Sequence, residues 1–265
     1  MSIQSDEIVA RWSAFIELID NVKNCKSKDK CKLCGNMVFG TGPLNAELVI
    51  VGEAAGETEE ILGIPFVGLA GLMLTKMLAA IGIDRTSVYI CNTVKGRPPE
   101  DRKPTSEELS SCRHFLIDQI AIVRPKVILC LGETAAQAIL SCQEKVTALR
   151  GKVIDWSENA KTKVIVTYHP IYLCKKPSAK GEAMKDLLLL KSVLDQLNQA
   201  PVVNETVAVE AVTTCDTCAG RTVKIRGLYP KDPEVEVCPT CMRDRIHRTV
   251  SMLVPLKVQT KVINV

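Results

Sequence analysis

The sequence has no apolar run approaching the length of a membrane span, and its opening stretch, MSIQSDEIVARW, is acidic where a secretory leader is basic and then apolar. These absences predict a cytosolic chain that makes no use of a membrane. Internal repeats and low-complexity tracts are also lacking, which excludes solenoid and fibrous architectures. No sign of charge dominates: 34 Lys/Arg stand against 30 Asp/Glu, and residues 201–265 hold nine and seven of them. Without a strongly basic region, nucleic-acid binding has to be argued from local residues. What the chain does have is 265 residues with 46% hydrophobic content, enough for a full core and a small appendage. It also has twelve cysteines, which in a reducing compartment point to metal rather than disulfides wherever they cluster.

Residues 6–20 place Ile8, Trp12, Phe15, Ile16 and Ile19 at helical spacing, predicting an amphipathic helix. AELVIVGEA (46–54) is a short run rich in Val and Ile ending near Gly, as expected of a buried parallel strand. LMLTKMLAAIG then reads as helix, VYICN as strand, and TSEELSSCRHFLIDQIAIV as helix, with Thr105 and Glu108 spaced for a capping box. KVILCLG, ETAAQAILS, KVIVTYHP and EAMKDLLLLKSVLDQL continue the alternation of strand and helix. This pattern predicts an α/β three-layer sandwich around a central parallel sheet of about four strands, with ligands gathering at the carboxyl ends of the strands. The predicted domains are 1–197, a linker at 198–212, and a small C-terminal module at 213–265.

In that module Cys215, Cys218, Cys238 and Cys241 form C-x2-C-x19-C-x2-C, the spacing of a zinc-ribbon-like site in which two tight turns converge on one ion. Its arginines and lysines suit either phosphate contact or a solvated face. Near the N-terminus Cys25, Cys31 and Cys34 form a second group, which Cys112 could join from a distance. Its C-x2-C pair suits zinc or an iron–sulfur cluster, and spacing does not choose between them. Cys91, Cys130, Cys142 and Cys174 read as packing residues, because nothing nearby suggests an activated thiolate.

The stretch GEAAGETEEILGIPFVGLAG (52–71) surrounds one Pro-Phe with acidic residues and glycines. Glu53 lies just past a buried strand, where its carboxylate can face a cleft, and the glycines allow close approach to the main chain at Gly52 and Ala54. Pro65 stiffens the segment carrying Phe66, which is either a core residue or a stacking platform. Asn92 ends the second strand, with an amide that offers both donor and acceptor to a flat polar edge. His169, ahead of Pro170, stands at the last strand end as a structural cap or a pocket donor. All four fall on the rim that a parallel sheet offers to a ligand.

These residues resemble the family-4 uracil-DNA glycosylases, which carry an iron–sulfur cluster. The likeness runs from about Cys25 to Leu197. It rests on VFGTG, VIVGEAAG for the family's VGEAPG, PFVGLAG for PFVGRAG, NTVKGRPPEDRKPTSEE for NVVKCRPPGNRxPTPEE, and HPIYLCK for HPAYLLR. The resemblance implies that Phe66 stacks on an extruded base, Asn92 pairs with the uracil N3 and O4 edge, and His169 bonds O2. Glu53 is implied in water positioning or in stabilising the sugar cation, and Glu59 in excluding the methyl of thymine at C5. Leu173 is implied as a candidate wedge into DNA and Lys175 as a phosphate contact, while an ordinary helix-entry loop would read the same way. Such an enzyme acts on uracil-containing DNA, in the cytoplasm at the nucleoid. The resemblance also implies a [4Fe–4S] cluster, although Gly96 stands where the family has a ligand cysteine; Cys25 is the expected replacement beside Cys31, Cys34 and Cys112. Ala55 replaces the Pro of the family motif, and the C-terminal zinc module lies outside the likeness.

The expected reaction is hydrolysis of the bond joining uracil to deoxyribose, leaving an abasic site. No motif places a lysine for Schiff-base lyase chemistry. Two alternatives remain: an enzyme acting on a 5-substituted or hypermodified pyrimidine, suggested by the altered motif and extra module, and an inactive DNA-binding homologue. Retention of Glu53, Phe66, Asn92 and His169 argues against the second, since a mere binder needs no water-positioning carboxylate.

Overall fold

The computed structural model describes residues 3–25 and 36–199, together with strands at 211–214, 221–225 and 235–237. The chain divides into two compact units, residues 17–204 and residues 1–16 with 205–265.

The order of elements begins with α1 (Ile3–Lys23), β1 (Leu48–Gly52), α2 (Glu57–Leu62), α3 (Leu69–Ala80) and β2 (Tyr89–Asn92). It continues with α4 (Ser106–Val123), β3 (Val127–Leu131), α5 (Glu133–Leu140), α6 (Val146–Leu149), β4 (Val153–Trp156) and β5 (Asn159–Thr167). α7 (Pro170–Lys175) and α8 (Lys180–Gln199) complete the larger unit. The smaller unit carries an antiparallel three-stranded sheet, β6 (Ala211–Thr214), β7 (Arg221–Ile225) and β8 (Val235–Val237), in that order.

The main sheet has the order β2-β1-β3-β5-β4. Its first four strands are parallel, as the alternation of strand and helix requires, and β1, β2 and β3 are buried at every residue because helices cover both faces. To the four expected parallel strands the structure adds β4, which pairs antiparallel with β5 as an edge hairpin. VIDW is short and alternately exposed, so it lacks the continuous apolar run that marks the other strands. On one face Ile50, Leu129 and Ile165 pack with Leu74 and Leu78 of α3 and with Leu187, Leu190 and Leu194 of α8. α5 lies against β1 and β3. No described helix is long and apolar enough to cross a membrane.

The capping box forms as the spacing predicts: Glu108 N donates to Thr105 Oγ1 at 3.2 Å, and Thr105 N to Glu108 Oε2 at 2.8 Å. Arg102 adds two bonds to the same carboxylate at 2.7 and 2.8 Å, which fixes the loop between β2 and α4.

Strand register decides where chemistry can occur. Gly52 lies beside Asn92, and Leu131 beside Thr167, so four adjacent parallel strands end on one rim.

Candidate active site

Each of those four strand ends contributes a residue. Gly52 forms the floor, where an added Cβ would lie 2.5 Å from Phe66 Cζ and closer still to Asn92 Oδ1. The absent side chain lets the ring and the amide converge on the main chain.

Asn92 is 1% exposed, and its Oδ1 has no hydrogen-bond partner among the described residues. Leaving a buried amide oxygen unpaired costs on the order of 1–3 kcal/mol, a cost that a bound donor removes. The strand end that carries the amide is held through its main chain. Lys95, 4% exposed, donates from Nζ to the Asn92 main-chain carbonyl at 2.9 Å and to Gln119 Oε1 at 2.6 Å. Gln119 Nε2 in turn donates to Tyr89 Oη at 2.7 Å and to the Phe39 carbonyl at 2.9 Å. Burial holds the Lys95 ammonium below the usual lysine range.

Glu53 is half-buried and is fixed at two points. Its carboxylate accepts a bond from the Thr134 hydroxyl, and its carbonyl accepts one from Thr93 Oγ1. Thr134 comes from the first turn of α5, just beyond β3, so the third strand end contributes through a residue that no motif marked.

His169 caps α7: Ile171 N donates to its Nδ1 at 3.3 Å. With Nδ1 accepting, the neutral ring carries its proton on Nε2. Burial pushes the imidazole below its ordinary value of 6.5, with the Glu53 carboxylate pulling weakly the other way, so the ring is neutral at pH 7. The ring of Phe66 lies 5.8 Å from that of His169, centroid to centroid, at 34°. Gly132, at φ +91°, approaches His169 Cβ so closely that its own Cβ would stand 3.2 Å away.

The depressed value has a consequence for stability. As pH falls, the unfolded chain binds a proton at this histidine first, so its contribution is intact above pH 6.5 and lost as pH falls through the folded value. An NMR titration of the His169 ring is expected to give a midpoint below 6.5, and a midpoint at or above that value would contradict the burial argument.

Phe66 is 5% exposed and has a left-handed backbone, φ +54°. Glu59, 8% exposed, accepts the Val67 and Gly68 amides on Oε1 at 2.9 and 2.8 Å. Its carboxylate is therefore tied to the loop that presents Phe66, a duty the sequence did not signal. Ala54 is half-buried and packs beside Val94 and Cys112.

Leu173 is 1% exposed and belongs to the core cluster with Leu74 and Leu78, so in the DNA-free chain it packs inward from α7. HPIYLCK folds as a short helix that turns Leu173 inward and leaves Tyr172 and Lys175 exposed.

Among the cysteines, Cys91 and Cys130 are fully buried, and burial raises both thiols, in keeping with inert packing residues. Cys25 follows α1 half-buried, and Cys112 is buried on α4. Cys31, Cys34, Cys215, Cys218, Cys238 and Cys241 lie outside the described residues. Among the described residues no three His, Cys, Asp or Glu side chains come together as a metal site.

The rim thus offers a flat ring, an unpaired amide edge, a neutral imidazole donor and an anchored carboxylate. That set suits recognition of a planar polar heterocycle. Comparison with known proteins agrees with this chemistry. Residues 39–191 match the family model described as the uracil DNA glycosylase superfamily. The chain is 41% identical over 177 residues to a type-4 uracil-DNA glycosylase of Archaeoglobus fulgidus, covering 64% of this chain and 88% of that protein. It is 46% identical over 156 residues to the Thermotoga maritima type-4 enzyme, covering 56% and 80%, and 39% identical over 181 residues to that of Pyrobaculum aerophilum, covering 65% and 91%. On the strength of the rim and these matches, the chain belongs to the uracil DNA glycosylase superfamily, among the type-4 enzymes.

Proposed function

We propose that this chain is a monofunctional DNA glycosylase that hydrolyses the N-glycosidic bond of uracil in DNA and leaves an abasic site. The observation that carries the reading is the buried, unpaired Asn92 Oδ1 set against Gly52 and the Phe66 ring. A uracil turned out of the stack supplies what that site needs: N3–H for Oδ1, O4 for the amide N–H, and a face for the ring.

Bond cleavage follows from where charge develops. As the bond between C1′ and N1 breaks, its electron pair moves into the uracil and accumulates on O2 and O4. His169 Nε2–H meets O2 and the Asn92 amide N–H meets O4, with no reorganisation at the moment of reaction. The deoxyribose is left with positive charge, which the Glu53 carboxylate stabilises. Glu53 also orients a water for attack on C1′ and takes its proton. Thr134 keeps that carboxylate in one direction. Glu59, beside the ring-bearing loop, is the residue we assign to rejecting a methyl at C5, and exposed Lys175 to a phosphate.

The test is a labelled oligonucleotide with a single uracil, incubated with protein and then treated with alkali. Strand scission at the uracil position is expected only after alkali. Scission without alkali would contradict monofunctional hydrolysis, and faster release of 5-hydroxymethyluracil than uracil would move the substrate to modified pyrimidines.

We also propose two metal sites. Cys215, Cys218, Cys238 and Cys241 hold one zinc, and Cys25 completes a [4Fe–4S] cluster with Cys31, Cys34 and Cys112 in place of a ligand at Gly96. Such a cluster ties the segment after α1 to α4, and the proposed hydrolysis takes no step through it. Anaerobic protein is expected to be brown and to contain iron and zinc, with Cys25→Ser losing the iron and keeping the zinc. Colourless protein with two zincs per chain would overturn the cluster, and a Cys25→Ser variant that keeps its iron would overturn the role of Cys25.

A further inference from the structure

Phe66 has a backbone conformation that an L-residue with a bulky side chain avoids. At φ +54° it is strained, and it persists only where the surroundings over-determine it. Two groups do so from opposite sides. Glu59 Oε1 accepts the amides of Val67 and Gly68, the two peptide groups that follow the ring. Arg85, in a 3-10 turn after α3, takes the carbonyls: Nη2 donates to Phe66 O at 2.7 Å and Pro65 O at 3.3 Å, and Nη1 to Gly71 O at 3.3 Å. Nη1 also reaches Thr75 Oγ1 at 3.2 Å. Among the described residues Arg85 meets no carboxylate, so its whole fork is directed at the Phe66 loop and the helix that follows it. Gly71 makes this possible, because any Cβ there would overlap the Phe66 carbonyl.

We propose that Arg85 is a positioning residue for base capture, which together with Glu59 braces Phe66 in its left-handed conformation so that the ring is in place before the base arrives. The proposal rests on the reading of Phe66 as the stacking residue. Guanidinium geometry matters here. A planar fork satisfies carbonyls on both sides of the turn, whereas a lysine ammonium is a point donor that cannot span them. Without the brace Phe66 is free to relax to an extended backbone, and the enzyme must then order the loop during each capture.

The experiment uses the full chain and a single-uracil oligonucleotide, with Arg85→Met, Arg85→Lys, Phe66→Ala and the double variants. Arg85→Met is expected to lower kcat/KM about 10- to 100-fold, with KM rising more than kcat falls, and to melt close to the parent. Arg85→Lys is expected to recover part of the loss. In the Phe66→Ala background Arg85→Met is expected to have no further effect, because there is no ring left to position. An unchanged kcat/KM for Arg85→Met, or an equal loss in both backgrounds, would overturn the proposal while leaving the stacking role intact. Wild-type excision by Phe66→Ala would remove the stacking role itself, and the brace with it. Should Arg85→Met fail to fold, Arg85→Lys carries the same comparison, and its loss must likewise vanish without Phe66.

Discussion

Asn92→Ala and His169→Ala are each expected to reduce uracil excision by about 10² or more, the range seen when a donor to developing negative charge is removed. The two residues face the two oxygens on which the leaving base gathers charge in the proposed reaction, so each loss falls on the transition state. DNA affinity is expected to survive, since neither side chain contacts the backbone of the substrate in that reading. Single-turnover excision alongside a binding titration separates the two quantities. The Asn92 change should also be nearly neutral for stability, because it removes an oxygen that is unpaired in the folded protein. Wild-type rates in both variants would show that the pocket has been placed wrongly.

Gly52→Ala should be as severe by a different route. The new methyl would stand 2.5 and 2.6 Å from the Phe66 ring, and nearer to Asn92 Oδ1, so both side chains must withdraw. Those atoms are side-chain ends and not main chain, so the strand is expected to keep its register at a cost of about 1–3 kcal/mol. Excision should fall about 10²-fold or more, as for other displacements on the scale of an ångström in a preorganised site. The informative pair of measurements is the melting temperature and the rate. A variant that excises normally would mean that the amide and the ring do not need to converge over Gly52.

The main architecture was legible because buried parallel strands announce themselves as short Val and Ile runs, and LVIVG, YICN and VILCL all lie where such runs predict. Glu53, Asn92 and His169 were legible for the same reason, since each follows or closes such a strand. β4 was not, because an edge strand with one exposed face carries half the apolar signal. Arg85 and Thr134 were equally hidden. Their partners are distant in sequence, Thr134 reaching Glu53 across 81 positions, and only packing brings them together. The inward packing of Leu173 was not legible, because a seven-residue motif fixes composition and does not tell which way a helix of six residues turns.

His169 uses one nitrogen for the fold and, in the proposed reaction, offers the other to the substrate. The capping half of that work is chemically ordinary, since a serine or asparagine at a helix N-terminus performs it as well. A variant such as His169→Ser would therefore be made, fold and persist at normal abundance while lacking the ring donor. Libraries sorted for expression or heat resistance would carry such molecules through unnoticed. In a population, an allele of this kind would be visible only as an accumulation of uncorrected C-to-T transitions, with no fall in protein level to give it away.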